Sequence, residues 1–228
     1  MAGHLLLEGG AEFGEGMREP DLRAIALAGG FDAPICILPT AAGPDHNHRR
    51  AGNNGVRWFK SLGATNVLSL DVLDRKSAND DSLAASVRTS RLIYLPGGLP
   101  RHLGETLANS ACWSAAMEAH REGAVIAGSS AGAMVLCEHY YDPYEKKLLR
   151  GLNMIPNACV LPHHNNFGRN WAGQLRELLP GVFLLGIDEG TGMLNDTGSD
   201  WQVYGPGEVT VYSGTQVQRH ARGAVFSF

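Results

Sequence analysis

The sequence predicts a three-layer α/β sandwich built on a mainly parallel sheet, with a small antiparallel extension toward its C-terminal end. Two observations predict it. Short apolar, β-type runs alternate with longer runs of helical pattern, which is the sequence form of βαβ units. Glycine is frequent, at 29 of 228 residues, where an average usage of about 7% gives roughly 16. Many of these glycines stand at the ends of apolar runs, where tight turns leave strands.

In chain order, the first strand is read at residues 4–7 (His-Leu-Leu-Leu), followed by a helical pattern over 20–28. Strands at 34–39, 66–70 and 91–95 alternate with helical patterns at 48–62 and 81–88. A helix over 112–122 leads into a strand at 124–127 and a helix over 131–138. Strands at 159–161 and 183–187 flank a helix over 171–179. From residue 192 the character changes. Trp201-Gln-Val-Tyr204 and Val209-Thr-Val-Tyr212 are glycine-bounded apolar pairs and read as antiparallel hairpin strands. No linker, repeat or low-complexity segment interrupts the chain, so residues 1–228 read as one α/β domain.

Composition narrows the function classes. With 44% apolar and 18% charged residues the chain has a globular balance. Its net charge of −4 and pI of about 6.1, with no basic stripe, make nucleic acid an unexpected partner. Cys36, Cys112, Cys137 and Cys159 are far apart and have no zinc-site spacing. No run reaches the ~18 apolar residues of a membrane helix, and the start has no signal-like pattern. The expectation is a soluble, cytoplasmic protein. His46 and His48 make only a two-ligand pair, so no metal and no cofactor is expected. The open edges of such a sheet leave a homodimer open as an assembly.

The chemistry sits in Gly128-Ser129-Ser130-Ala131-Gly132, a G-x-S-x-G turn between an apolar strand and a run able to start a helix. Such a turn forces its central serine into a strained conformation, so only small neighbours fit. Ser130 is the candidate nucleophile, presented where backbone N–H groups favour developing negative charge. A base is needed, and Pro162-His163-His164 follows the strand at 159–161 on the rim where open α/β sheets place ligands. Between serine and histidine the available carboxylates are Glu138, Asp142 and Glu145. Leu95-Pro-Gly-Gly-Leu99 also ends a strand, so the N–H groups of Gly98 and Ala131 are candidates for an oxyanion hole. Glu8-Gly9-Gly10 and Asp188-Glu189 end strands on the same side, and the first has no phosphate-loop lysine.

Ile93 to Gly98, Ala127 to Ala133, Leu161 to His163 and Leu185 to Thr191, in this order and spacing, resemble the dipeptidase E and cyanophycinase family of serine peptidases. The resemblance spans about residues 5–212. It implies the fold of class I glutamine amidotransferases, with a flavodoxin-like sheet and serine in place of the glutaminase cysteine. It carries nucleophile, base and oxyanion glycine onto Ser130, His163 and Gly98, and by offset from the serine it favours Glu145 as the acid, with Asp142 next. It implies a small peptide substrate bearing an aspartyl group, for which Arg169, with His164, is the expected binding residue. Trp171 and Gln174 occupy positions where specificity arginines are expected. Asp188 and Glu189 become structural or pocket-lining groups.

The reaction expected is hydrolysis of a peptide amide through a Ser-His-acid site. Two alternatives compete. One is an α/β-hydrolase esterase using Ser130 with Asp196 and His220, for which the chain is short. The other is a non-catalytic amidotransferase-like binding module whose serine is never acylated.

Overall fold

Five short runs form a parallel core; where both faces of their sheet are covered the positions along them are apolar or small, the exceptions being His4, the fully buried Glu8 and, at the sheet edge, the exposed Leu68. In the computed structural model, which describes residues 3–197 and 200–228, these are β1 (His4–Glu8), β2 (Ile35–Ile37), β3 (Val67–Ser69), β4 (Leu92–Leu95) and β5 (Val125–Ser129). They pair in parallel in the order β1-β5-β4-β2-β3. The intervening helices are α1 (Arg18–Leu27), α2 (His48–Ser61), α3 (Asp81–Arg88), α4 (Pro100–Leu107), α5 (Ala111–Arg121) and α6 (Ala131–Leu136).

Period-two alternation along the strands separates the layers. Leu6, Ile35, Ile37, Leu92 and Tyr94 pack with Ala24 and Ile25 of α1 and Phe59 of α2. Their neighbours Leu5, Leu7, Cys36, Ile93 and Leu95 pack on the opposite face with Val87, Ala116 and Val135 of α3, α5 and α6. The three-layer α/β sandwich is thus present.

A second sheet lies on the same side as α6. It comprises β6 (Cys137–Asp142), β7 (Lys147–Arg150), β8 (Ile155–Leu161) and, after α7 (Ala172–Leu178), β9 (Phe183–Ile187). The chain then returns to the main sheet with β10 (Gly192–Thr197) and β11 (Asp200–Tyr204), crosses to the second with β12 (Glu208–Ser213) and β13 (Gln216–Ala221), and ends in the main sheet at β14 (Val225–Phe226). The two runs read as hairpin strands do lie in antiparallel hairpins, with different partners: β11 with β10, and β12 with β13. One strand pair positions the site. β8 and β9 are parallel neighbours, Leu161 opposite Gly186, so the loops leaving both emerge together.

Beneath that rim two carboxyls are fully buried side by side. Tyr94 donates its hydroxyl to Glu8 at 2.5 Å and the Trp58 indole N–H donates to Asp21 at 2.7 Å. Glu8 Oε1 and Asp21 Oδ1 have no other partner, and a proton shared between the carboxyls satisfies both. Burial, and then the charge of Asp21, hold the Glu8 carboxyl well above its ordinary range; burial pushes Asp21 from 3.8 up to about 7. The folded chain therefore keeps protons that the unfolded chain has lost. This contribution to stability is fully present below 3.8 and lost as pH rises to about 7. Tm is expected to be lower at pH 8 than at pH 5, and the difference to shrink in Asp21→Asn, which cannot ionise; equal pH dependence in both proteins would remove the shared proton.

Candidate active site

β5 delivers Ser130 at its C-terminal end and α6 begins immediately afterwards. Ser130 has φ +49° and ψ −111°, a conformation costing a non-glycine residue about 1–3 kcal/mol. Hydrogen bonds hold it there. Its N–H donates to Glu8 O and its C=O accepts from Met134 N, both at 3.0 Å. The small flanking residues are sterically required, since a Cβ on Gly128 meets Gly132 C at 2.5 Å and one on Gly132 meets Leu95 O at 1.9 Å.

His163 follows β8 through Pro162 and also lies in the left-handed region, at φ +51°. Its N–H donates to Gly9 O at 2.6 Å, and its ring lies on Gly10, where a Cβ meets Cε1 at 2.3 Å. Phe167 stacks on the other face with centroids 4.8 Å apart. So clamped, Nε2 lies 3.0 Å from Ser130 Oγ and Nδ1 lies 2.7 Å from Glu189 Oε1. With a carboxylate accepting at Nδ1, the neutral ring carries its hydrogen there and leaves Nε2 as an acceptor facing the serine. Glu189 leaves the end of β9, and its N–H donates to Asn165 Oδ1 at 3.1 Å.

Gly98 and Ala131 line one cavity of about 240 Å³ together with Ser130 and His163. Gly98 has φ +144°, and a Cβ there meets Ala41 O at 2.5 Å, so the position demands glycine. Among the described residues neither the Gly98 N–H nor the Ala131 N–H has a protein acceptor. Nucleophile, base, carboxylate and two open donors therefore converge on one rim.

The family model described as peptidase family S51 matches residues 5–199. The chain belongs to this family. The cyanophycinase of Geminocystis herdmanii is 30% identical over 234 residues, spanning 97% of this chain and 84% of that protein. The cyanophycinase of Trichormus variabilis is 29% identical over 226 residues, spanning 93% and 74%. The crystal structure of a peptidase from an acI-B1 Actinobacterium matches with a TM-score of 0.89 at 32% identity, covering 100% of this chain and 98% of that one. A putative peptidase E protein from Listeria monocytogenes has a TM-score of 0.61 at 18% identity, covering 97% and 99%, and shares the fold. The resemblance drawn from the motifs holds, and the protein is a serine peptidase-type hydrolase.

Several expected site residues of this S51 peptidase lie elsewhere. Glu145 is paired with Arg101 and with Lys147 and does not approach His163. Asp142 accepts the backbone N–H of Tyr144 at 2.9 Å, and Glu138 pairs with Arg150 and accepts Asn157 N–H at 2.8 Å. The reason is the β6–β7 hairpin, unread in the sequence, which commits all three acids to its own strands and turn. The carboxylate on His163 is instead Glu189, brought there by the β8–β9 pairing.

His164, expected at the substrate, points the opposite way from His163. Its ring hydrogen-bonds Tyr212 Oη at 2.8 Å and lies so close to Gly186 that a Cβ there meets Cδ2 at 2.3 Å. Burial holds the His164 imidazole below its ordinary pKa, against Asp188, and the charge of Arg169 pushes the same way. Arg169 is exposed and does not line the cavity beside Ser130. Arg176 donates to Gly214 O and lies over the Tyr212 ring. The esterase pair does not form, because Asp196 bridges to Arg23 at 2.5 Å and His220 stacks on Phe226 at 4.0 Å. No group of three or more metal-ligating residues gathers among the described residues, at His46 and His48 or elsewhere. No helix of the described residues is long and apolar enough to cross a membrane.

One contributor escaped the sequence reading. Glu12 accepts Gly97 N–H at 3.0 Å and the Ser129 hydroxyl at 3.3 Å, tying the Gly97-Gly98 loop to the residue before the nucleophile. Both its neighbours, Ala11 and Phe13, have positive φ (+59° and +64°), which turns this side chain inward at a cost in backbone strain. Glu12→Ala is expected to lower kcat by about 10-fold, the scale of roughly 1.4 kcal/mol for one misplaced positioning contact. KM and Tm should move little; an equal loss in Tm and in folded fraction with unchanged kcat per folded molecule would make Glu12 merely structural.

Proposed function

We propose that this S51 peptidase hydrolyses an amide bond of a small peptide through Ser130, with His163 as base and Glu189 as its orienting carboxylate. The observation that carries this reading is the unbroken contact series Glu189–His163–Ser130, at 2.7 and 3.0 Å, beside the Gly98 and Ala131 N–H groups. Ser130 Oγ attacks the carbonyl carbon as its proton passes to His163 Nε2. The carbonyl oxygen takes the electron pair and becomes an oxyanion, which the two N–H groups stabilise. Collapse breaks the C–N bond, and His163 returns the proton to the departing amine. Water, deprotonated by the same imidazole, then releases the acyl group and restores the serine. Glu189 stays ionised throughout and stabilises the imidazolium. None of these steps needs a group from outside the chain and its substrate other than water.

Neither Arg169 nor Arg176 lines the cavity, so the aspartyl preference implied by the resemblance gains no support from its walls. The four buried, unpaired cysteines support a reducing, cytoplasmic setting. The test is incubation with a panel of dipeptides, following release of free amine. Release is expected with the native protein and at background with Ser130→Ala. Equal rates in the two proteins, or no release from any dipeptide, would leave the fold as a binding module.

A further inference from the structure

We infer that the cavity beside Ser130 receives an apolar or aromatic side chain of the substrate, not an acidic one. This rests on the hydrolytic reading of Ser130 and names the substrate class for it. One wall is the reacting machinery; the rest is Met134, Tyr144, Phe167, Trp171 and three prolines, with no aspartate, glutamate, lysine or arginine in the lining. A substrate carboxylate placed there loses its water without meeting a cation, which is unfavourable in a site this apolar. Arg101 lines the adjoining cavity with Pro100 and Tyr144, and its guanidinium is already shared by Glu105 and Glu145.

The fixed charges around the cavity point the same way. Glu189 stands behind His163 and Glu12 behind Gly97, so the local field near Ser130 repels a second carboxylate. An aromatic row offers the opposite. Phe167 stacks on His163, lies 5.6 Å from Trp171, and Trp171 in turn lies 5.3 Å from Tyr141. Phe167 and Tyr144 are 44% and 71% exposed. Large apolar side chains left open at a reactive cleft gain by being covered, and a volume of about 240 Å³ accommodates one phenylalanine-sized or leucine-sized side chain.

The test separates binding from chemistry. With Ser130→Ala, which cannot turn substrate over, dissociation constants are measured calorimetrically for dipeptides carrying Phe, Leu, Asp or Arg at each position in turn. The Phe or Leu peptide is expected to bind at least about 10-fold more tightly than the Asp peptide at one of the two positions, the scale of a filled apolar pocket. Phe167→Ala and Trp171→Leu in the same background should erase that margin. Tyr144→Arg, at an exposed position that places no demand on folding, should raise Asp binding. Asp binding as well as or better than Phe and Leu at both positions, or a margin untouched by every wall variant, overturns the inference. Reaction of Ser130 in the native protein with a fluorophosphonate, scored separately, tests the hydrolytic reading alone. A labelled protein that prefers Asp loses only the inference, and an unlabelled one that prefers Phe loses only the chemistry.

Discussion

Ser130→Ala is expected to lower kcat on any cleaved peptide by about 10⁴- to 10⁶-fold, and His163→Ala to do nearly the same. The double variant should be hardly worse than either single one. The reason is that the two side chains act as one unit: without the hydroxyl there is nothing for the imidazole to deprotonate, and without Nε2 the hydroxyl is a weak nucleophile. Their 3.0 Å separation already allows proton transfer without rearrangement. Some acceleration over water should survive, since the Gly98 and Ala131 N–H groups still polarise the carbonyl. Steady-state kinetics with Tm as a control checks this. Losses that multiply in the double variant would mean the two residues act independently.

Glu189→Gln is expected to cost about 10²- to 10⁴-fold in kcat with little change in KM, whereas Glu145→Gln should leave both within about twofold. Glutamine keeps the size of Glu189. It removes the charge that stabilises the imidazolium, and its amide end can donate to Nδ1 and favour the wrong tautomer. The carboxylate is 35% exposed, so solvent screens part of its effect, which is why the lower end of that range is included. Glu145 is held by Arg101 and Lys147 in the turn of the β6–β7 hairpin. The pair of variants therefore decides between the acid that precedes the histidine in the chain and the one that follows it. Loss of activity in Glu145→Gln with none in Glu189→Gln would reverse the assignment.

Where the site was legible in the sequence, the signal was local. Ser130 and Ala131 sit in a turn whose small residues are fixed by contacts within a few residues or with the adjacent strand, such as a Cβ on Gly132 against Leu95 O, and Gly98 follows a paired-glycine strand end. His163 was legible because an apolar run ended just before it, although only 159–161 of Ile155–Leu161 looked like a strand, its first half being interrupted by Pro156 and Asn157. Glu189 is legible as a strand-end acid, but nothing in its local sequence joins it to His163. That joining depends on β8 lying beside β9, a long-range pairing that no local pattern announces. The hairpin that removes Glu145 was missed because Lys147–Arg150 is short and half polar, so its alternation was too weak to read. His164 failed for a different reason: the chain bends after β8, with His163 at φ +51°, and this bend sends the neighbouring rings to different partners, His164 to Tyr212 and His163 to Ser130.

The most direct test of the account is the rate of covalent labelling by a fluorophosphonate, read by intact mass and peptide mapping, in the native protein and in His163→Ala. One adduct per chain, on Ser130, forming at least about 100-fold more slowly without the imidazole, is the predicted result. No adduct, an adduct on another residue, or an unchanged rate in His163→Ala would contradict it.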